Sequence, residues 1–151
     1  MLPRFDYSVT VLVSVDAAFL AFQDLNRLLH RGVYEDASFV EGKPWEVGSR
    51  LRYVVVKPVK TTISAVVNAV SPPRAITLLN HALGVTAEQH VTFSPDLGGG
   101  TRVRMTVECV GEPTEFSQDV VQQAVEFLVK DALDTVVTRC NQRRTSSALP
   151  E

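Results

Sequence analysis

The stretch PTEFSQDVVQQAVEFLVKDALDTVVTRCNQRR, from Pro113 to Arg144, is the only segment of the chain with the length and periodicity of a major helix. Apolar residues recur at Val121, Val125, Leu128, Ala132, Val136 and Cys140, and Val129 and Leu133 widen the stripe. Spacings of three and four place them on one helical face. Gln122, Gln123, Glu126, Lys130 and Asp134 take most of the other side. Pro113 suits a first turn, where its missing N–H costs nothing. Thr114 is a candidate cap, although no Glu or Gln three residues later completes a capping box. Arg139, Arg143 and Arg144 complement the negative end of the helix dipole. Val120 to Arg144 would span about 37 Å at about 1.5 Å per residue. A second ridge, Phe116, Val120 and Phe127, lies off the main stripe and is expected to be covered by a neighbouring loop, the other reading being a homodimer contact.

Upstream of this helix the pattern changes to strands. Phe5 to Val13 alternates Phe5, Tyr7, Val9, Val11 and Val13 with Asp6, Ser8 and Thr10, as a half-buried strand does. Asp16 is expected to cap a short helix carrying Phe19, Leu20 and Phe22. A second short helix follows around Leu25, Leu28 and Leu29, ended by His30 and closed by Gly32. Val33 to Val40 reads as a short strand, and Gly42-Lys43-Pro44 as a turn. In Leu51 to Lys57, Leu51, Tyr53 and Val55 face one way, Arg50 and Arg52 the other. Lys57 to Lys60 is a hairpin connection to Thr61–Val70, which Ser71-Pro72-Pro73 ends. Ala75–Leu83, Val85–Phe93 and Thr101–Val110 complete the series. In the last strand Val103, Met105, Val107 and Cys109 alternate with Arg102, Arg104, Thr106 and Glu108.

Asp96-Leu97-Gly98-Gly99-Gly100 is the strongest turn signal. A phosphate-binding loop is excluded there, because a strand follows Gly100 and no Gly-Lys-Ser/Thr is present. Consecutive strands with short turns pair antiparallel. A long helix with a broad apolar face must then cover one face of the sheet. The fold class is therefore α+β: a curved antiparallel sheet of about seven strands around a long C-terminal helix, with two short helices after the first strand. Residues 1–144 form one domain, and Thr145 to Glu151 is expected to be a disordered tail.

Composition narrows the function. The 151 residues are 45% hydrophobic and 21% charged, ordinary for a soluble domain. A net charge of −2 and the lack of a basic face argue against nucleic acid as a partner. No apolar run approaches the ~20 residues of a membrane span, so no stable membrane insertion is expected. Met1-Leu2-Pro3-Arg4 leads into alternating residues rather than a signal-peptide core, and a cytoplasmic location is the expectation. Cys109 and Cys140 lack Cys-x-x-Cys spacing and read as buried thiols. With so few clustered ligands, neither zinc nor another cofactor is expected.

The order of elements and several local marks resemble the START/polyketide-cyclase superfamily, the helix-grip fold also found in plant pollen-allergen proteins. The marks are Trp45-Glu46-Val47-Gly48 before a strand, Ser71-Pro72-Pro73-Arg74 between strands, and Gly99-Gly100-Thr101-Arg102-Val103 at the last strand. The resemblance covers about Phe5 to Asn141. It implies an apolar cavity between sheet and helix that takes lipids, sterols, polyketides, quinones or similar molecules. Some relatives in that superfamily are cyclases or dehydratases, and others bind or transfer their ligand.

Alternation nominates Tyr53, Val55, Val67, Leu79, His81, Gln89, Val91, Met105 and Val107 as the strand side of such a cavity. Val125, Leu128, Val129 and Ala132 would form the helix side. Cyclisation or dehydration needs a general acid or base and a carbonyl-polarising group. His81 and Tyr53 are the catalytic candidates, with Gln89 as a donor, although Leu78 and Leu79 leave the parity of His81 against Asn80 open. His90, in register with Glu88 and Thr92, reads as solvent-facing. Glu35 and Asp36 lie on an edge strand, and Asp131 and Asp134 towards the polar side of the long helix, so paired carboxylates are not supported. The expectation is a protein that binds or transports a small hydrophobic molecule. The alternatives are a cyclase or dehydratase using His81 and Tyr53, and a protein-interaction module using the sheet or the Phe116/Phe127 ridge.

Overall fold

The computed structural model describes residues 3–148, with side chains as far as Gln142. The alternating segments form seven strands: β1 (Phe5–Val11), β2 (Tyr34–Glu41), β3 (Arg50–Val55), β4 (Thr61–Ser71), β5 (Ala75–Ala82), β6 (Val85–Pro95) and β7 (Thr101–Gly111). They make one antiparallel sheet in the order β1-β7-β6-β5-β4-β3-β2. From β2 to β7 each strand pairs with the next in sequence, whereas β1 pairs with β7, Phe5 opposite Val107 and Val11 opposite Thr101. The chain passes from the β1 edge to the β2 edge through α1 (Val15–Gln23) and a 3₁₀ helix (Leu25–His30), and ends in α2 (Gln118–Ala148). This is the α+β helix grip expected from the sequence.

The inner face of the sheet follows side-chain parity. On β3, Leu51, Tyr53 and Val55 are buried, and on β7 Val103, Met105, Val107 and Cys109 are buried while Arg102, Arg104 and Glu108 face out. Cys140 of α2 is buried too. At the β6–β7 hairpin, Gly100 has φ +81°, and a Cβ there would stand 2.2 Å from the Val11 carbonyl oxygen. Only glycine fits that approach of hairpin to β1.

Both helix starts differ from the expected ones. Ser14, not Asp16, caps α1, its Oγ accepting from Ala17 N–H at 3.1 Å, and Asp16 sits in the first turn, where its charge suits the dipole. Ser117, not Thr114, caps α2, its Oγ accepting from Val120 N–H at 3.2 Å. The Thr114 N–H is already given to the Leu83 carbonyl at 2.9 Å, which holds Pro113 and Thr114 against the β5–β6 turn instead of in a helix. At the other end, Thr145 to Ala148 continue α2 rather than beginning a tail. The rest of the expected tail, Leu149 to Glu151, and the side chains of Arg143 and Arg144 lie outside the described residues.

The main stripe of α2 packs as expected, with Val121, Val129, Leu133 and Val136 buried. Of the second ridge, Phe116 packs on the core while Val120 and Phe127 stay exposed. Asp131, expected on the polar side, is 4% exposed. No described helix is long and apolar enough to cross a membrane.

Candidate functional site

Between sheet and α2 lies a cavity of about 120 Å³. Val125, Leu128, Val129 and Ala132 form its helical wall; Ile63 of β4, Asn80 of β5, Ala87 and Gln89 of β6, and Met105 and Val107 of β7 form the sheet wall. Tyr34 of β2, Tyr53 of β3, and Arg27 and Leu28 of the 3₁₀ helix line it at the end nearest the β2 edge. A second cavity of about 80 Å³ continues towards the β3–β4 and β5–β6 turns, bounded by Val59, Leu83 and Val121. The two share Ile63, Asn80, Ala87, Val125 and Leu128. The small side chains of Ala87 and Ala132 leave the helix and sheet unfilled here, which is why Val125 and Leu128 are only half-buried on an otherwise covered stripe.

Of the residues nominated from the sequence, Val125, Leu128, Val129 and Ala132 of α2 and Tyr53, Gln89, Met105 and Val107 of the sheet line this cavity. Val55, Val67 and Val91 face inward but are core residues, at most 1% exposed, packed away from the cavity. Leu79 and His81 are corrections. On β5 the inward set is Ile76, Leu78 and Asn80, so Leu79 and His81 lie on the outer face. There the His81 imidazole Nδ1 meets Thr86 Oγ1 at 3.0 Å. The His90 imidazole, bridging Thr77 and Glu88, is also on that face, as expected. Leu78 followed by Leu79 hides the period in the sequence; Asn80 alternating with Ile76 and Leu78 is the signal that identifies it. Arg27, Leu28, Tyr34, Ile63 and Ala87 were not anticipated.

Polar groups in the cavity are few and positioned. Asn80 Nδ2 donates to Gln89 Oε1 at 3.0 Å, and Gln89 Nε2 lies 3.4 Å from Met105 Sδ. The rings of Tyr34 and Tyr53 meet edge-to-face at 5.9 Å. Burial raises both phenols, opposed by the nearby Arg27 charge; Tyr53 is pushed up to about 12. Both are neutral donors at physiological pH.

Among the described residues Arg27 is the one charged side chain at the cavity, and it is 8% exposed. Nε donates to the Phe22 carbonyl at 3.1 Å, Nη1 to Thr135 Oγ1 at 2.8 Å, and the guanidinium lies 4.7 Å from the Phe22 ring centroid. Burial lowers its pKa to about 10, against the pull of Tyr53, Tyr34, Asp24 and Asp131, so it stays cationic. The nearby acids are turned elsewhere. Asp24 Oδ2 accepts from Arg139 Nε at 2.8 Å. Asp131 Oδ1 pairs with Arg31 Nε at 2.9 Å, and burial raises the Asp131 carboxyl against the opposing Arg31 charge.

Trp45, from the first of the resemblance marks, braces this end. Its Nε1 donates to the Gln23 carbonyl at 3.1 Å, and its ring packs on Phe22 and Phe39. The turn before β3 thereby holds the end of α1, from which the 3₁₀ helix carrying Arg27 departs.

No protein-family model and no curated protein matches the chain in sequence. Solved structures do match in shape. The Zhui aromatase/cyclase from Streptomyces sp. R1128 aligns at TM-score 0.78 and 16% identity, covering 98% of this chain and 99% of that one. TTHA0849 from Thermus thermophilus aligns at TM-score 0.77 and 18% identity, covering 93% and 99%. Ara h 8.0201 aligns at TM-score 0.74 and 13% identity, covering 93% and 98%. At these identities the likeness is one of fold: the chain has the helix-grip fold of these structures.

Proposed function

We propose that the protein binds a small hydrophobic molecule in the cavity between the sheet and α2, as a carrier or receptor for it. The observation that carries this reading is the pair of adjoining, mainly apolar cavities of about 120 and about 80 Å³ that share five lining residues between the sheet and α2. A dry apolar cavity of roughly 150 Å³ is enough to take a benzene ring, so the two spaces taken together hold one ring with room to spare and two fused rings as a tight fit.

A proton-transfer reaction of the cyclase or dehydratase kind is less well supported. It needs a group that titrates near neutrality within reach of the substrate. Among the described residues the lining holds no histidine and no carboxylate, Tyr53 is raised by burial, and His81 is on the wrong face. The cyclase activity in the name of one fold neighbour therefore does not pass to this chain through the candidates His81 and Tyr53.

The test is calorimetric titration with naphthalene of the wild type and of Ala87→Leu, which fills the waist shared by both cavities. Saturable binding of one molecule per chain, weakened about tenfold or more by the substitution, is expected. Absence of saturable binding to the folded wild type overturns the reading.

A further inference from the structure

We propose that Arg27 is the anchor for an anionic headgroup, so that the molecule this cavity takes is an apolar acid: its carboxylate sits against Arg27, Tyr34 and Tyr53, and its hydrocarbon body lies along α2. This rests on the cavity being a binding site and names the chemistry of its occupant.

Three observations converge. Arg27 is a buried cation with no carboxylate in ion-pair contact among the described residues, because Asp24 and Asp131 are engaged by Arg139 and Arg31. Burying a charge without a counter-ion is costly, and the hydrogen bonds to Phe22 and Thr135 offset only part of that cost. Second, those two bonds use Nε and Nη1, leaving both N–H groups of Nη2 without a protein acceptor. The only sealed and unpartnered side-chain polar atom among the described residues is Asp131 Oδ2, so Arg27 Nη2 is not walled in, and Arg27 is one of the residues that line the cavity. Third, the hydroxyls of Tyr34 and Tyr53 make no hydrogen bond among the described residues and lie at that same end, within electrostatic reach of Arg27.

Unused donors on a cation and on two neutral phenols, gathered at one end of an apolar space, match an anion better than a neutral polar group. A guanidinium binds a planar carboxylate through charge-assisted bonds that a carboxamide does not reproduce. The far end, bounded by Val59, Leu83 and Val121, has no charged side chain in its lining and only Thr61 and the shared Asn80 as polar ones. The occupant is therefore oriented, acid towards the 3₁₀ helix and tail towards the β5–β6 turn.

The experiment compares 2-naphthoate with its neutral isostere 2-naphthamide by calorimetry on the full chain. The wild type is expected to bind the carboxylate about tenfold tighter or more. Arg27→Gln should abolish that preference, and Arg27→Lys should keep part of it. Equal binding of the two probes by the wild type, binding of the amide alone, or a preference that survives in folded Arg27→Gln overturns the inference while leaving the cavity reading intact. If Arg27→Gln does not fold by circular dichroism, Tyr53→Phe takes its place: a reduced preference supports the inference and an unchanged one overturns it. Binding of neither probe, nor of naphthalene, overturns the cavity reading and this inference with it.

Discussion

Arg27 and Asp131 are buried within electrostatic reach of each other and form no ion pair: Arg27 gives its Nη1 to Thr135 across 2.8 Å, and Asp131 takes Arg31 instead. Thr135 also donates to the Ala132 carbonyl at 2.8 Å, so one hydroxyl joins the 3₁₀ helix to α2. Thr135→Val keeps the shape and removes the acceptor. It should cost about 1–3 kcal/mol in urea unfolding, because a charged donor loses a buried partner. An unchanged midpoint would mean that the bond contributes nothing net.

Asp131 makes stability depend on pH. Its carboxyl is raised above the ordinary aspartate value of 3.8 in the fold, chiefly by burial. The folded state therefore holds a proton that the unfolded chain has released. As pH rises from the unfolded value through the raised folded value, ionisation disfavours the fold. Asp131→Asn lacks this contribution, so wild-type stability relative to the variant should fall between about pH 4 and about pH 7. Urea midpoints of the two proteins at both pH values check the sign; a difference that grows with pH contradicts it.

Met105 is fully buried and also lines the cavity. Met105→Ala should destabilise by about 2–5 kcal/mol, as deletion of a buried side chain does. The same change should enlarge the cavity and raise affinity for probes bulkier than naphthalene relative to naphthalene itself. Thermal melts together with paired titrations read both effects.

His81→Ala removes an exposed side chain whose partner is Thr86 on the outer face. Stability should change by no more than about 0.5 kcal/mol, and ligand affinity should not move. A loss of binding in the folded variant would place His81 in contact with the ligand and contradict the geometry.

The fold was legible because each strand declares its inner face and the long helix declares its stripe. On β7 the alternation of Val103, Met105 and Val107 with arginines leaves no choice of parity. On β5 two adjacent leucines do, and the inward position falls to Asn80 rather than His81. Parity also says which residues face the helix, but not which of them touch it. Val55, Val67 and Val91 are as inward as Tyr53 and Met105, yet packing fills their positions and leaves a gap beside Ala87 and Ala132. Arg27 was invisible for a different reason. An arginine between Leu25 and Leu28 reads as solvated, and the partner that holds it inside, Thr135, is 108 residues away in the chain.

The pairing of β1 with β7 sets an order of events during synthesis. Phe5 finds Val107 as its partner, and Val11 finds Thr101, so the first strand made has no neighbour until the last has left the ribosome. Hairpins from β2 onwards form from local contacts as they emerge, whereas β1 waits through the production of the other six strands. Its apolar side, Phe5, Tyr7, Val9 and Val11, is uncovered for that interval, and α2, which closes the cavity, arrives later still. A nascent chain stalled before Thr101 should therefore present this edge to chaperones, and its release should follow completion of β7.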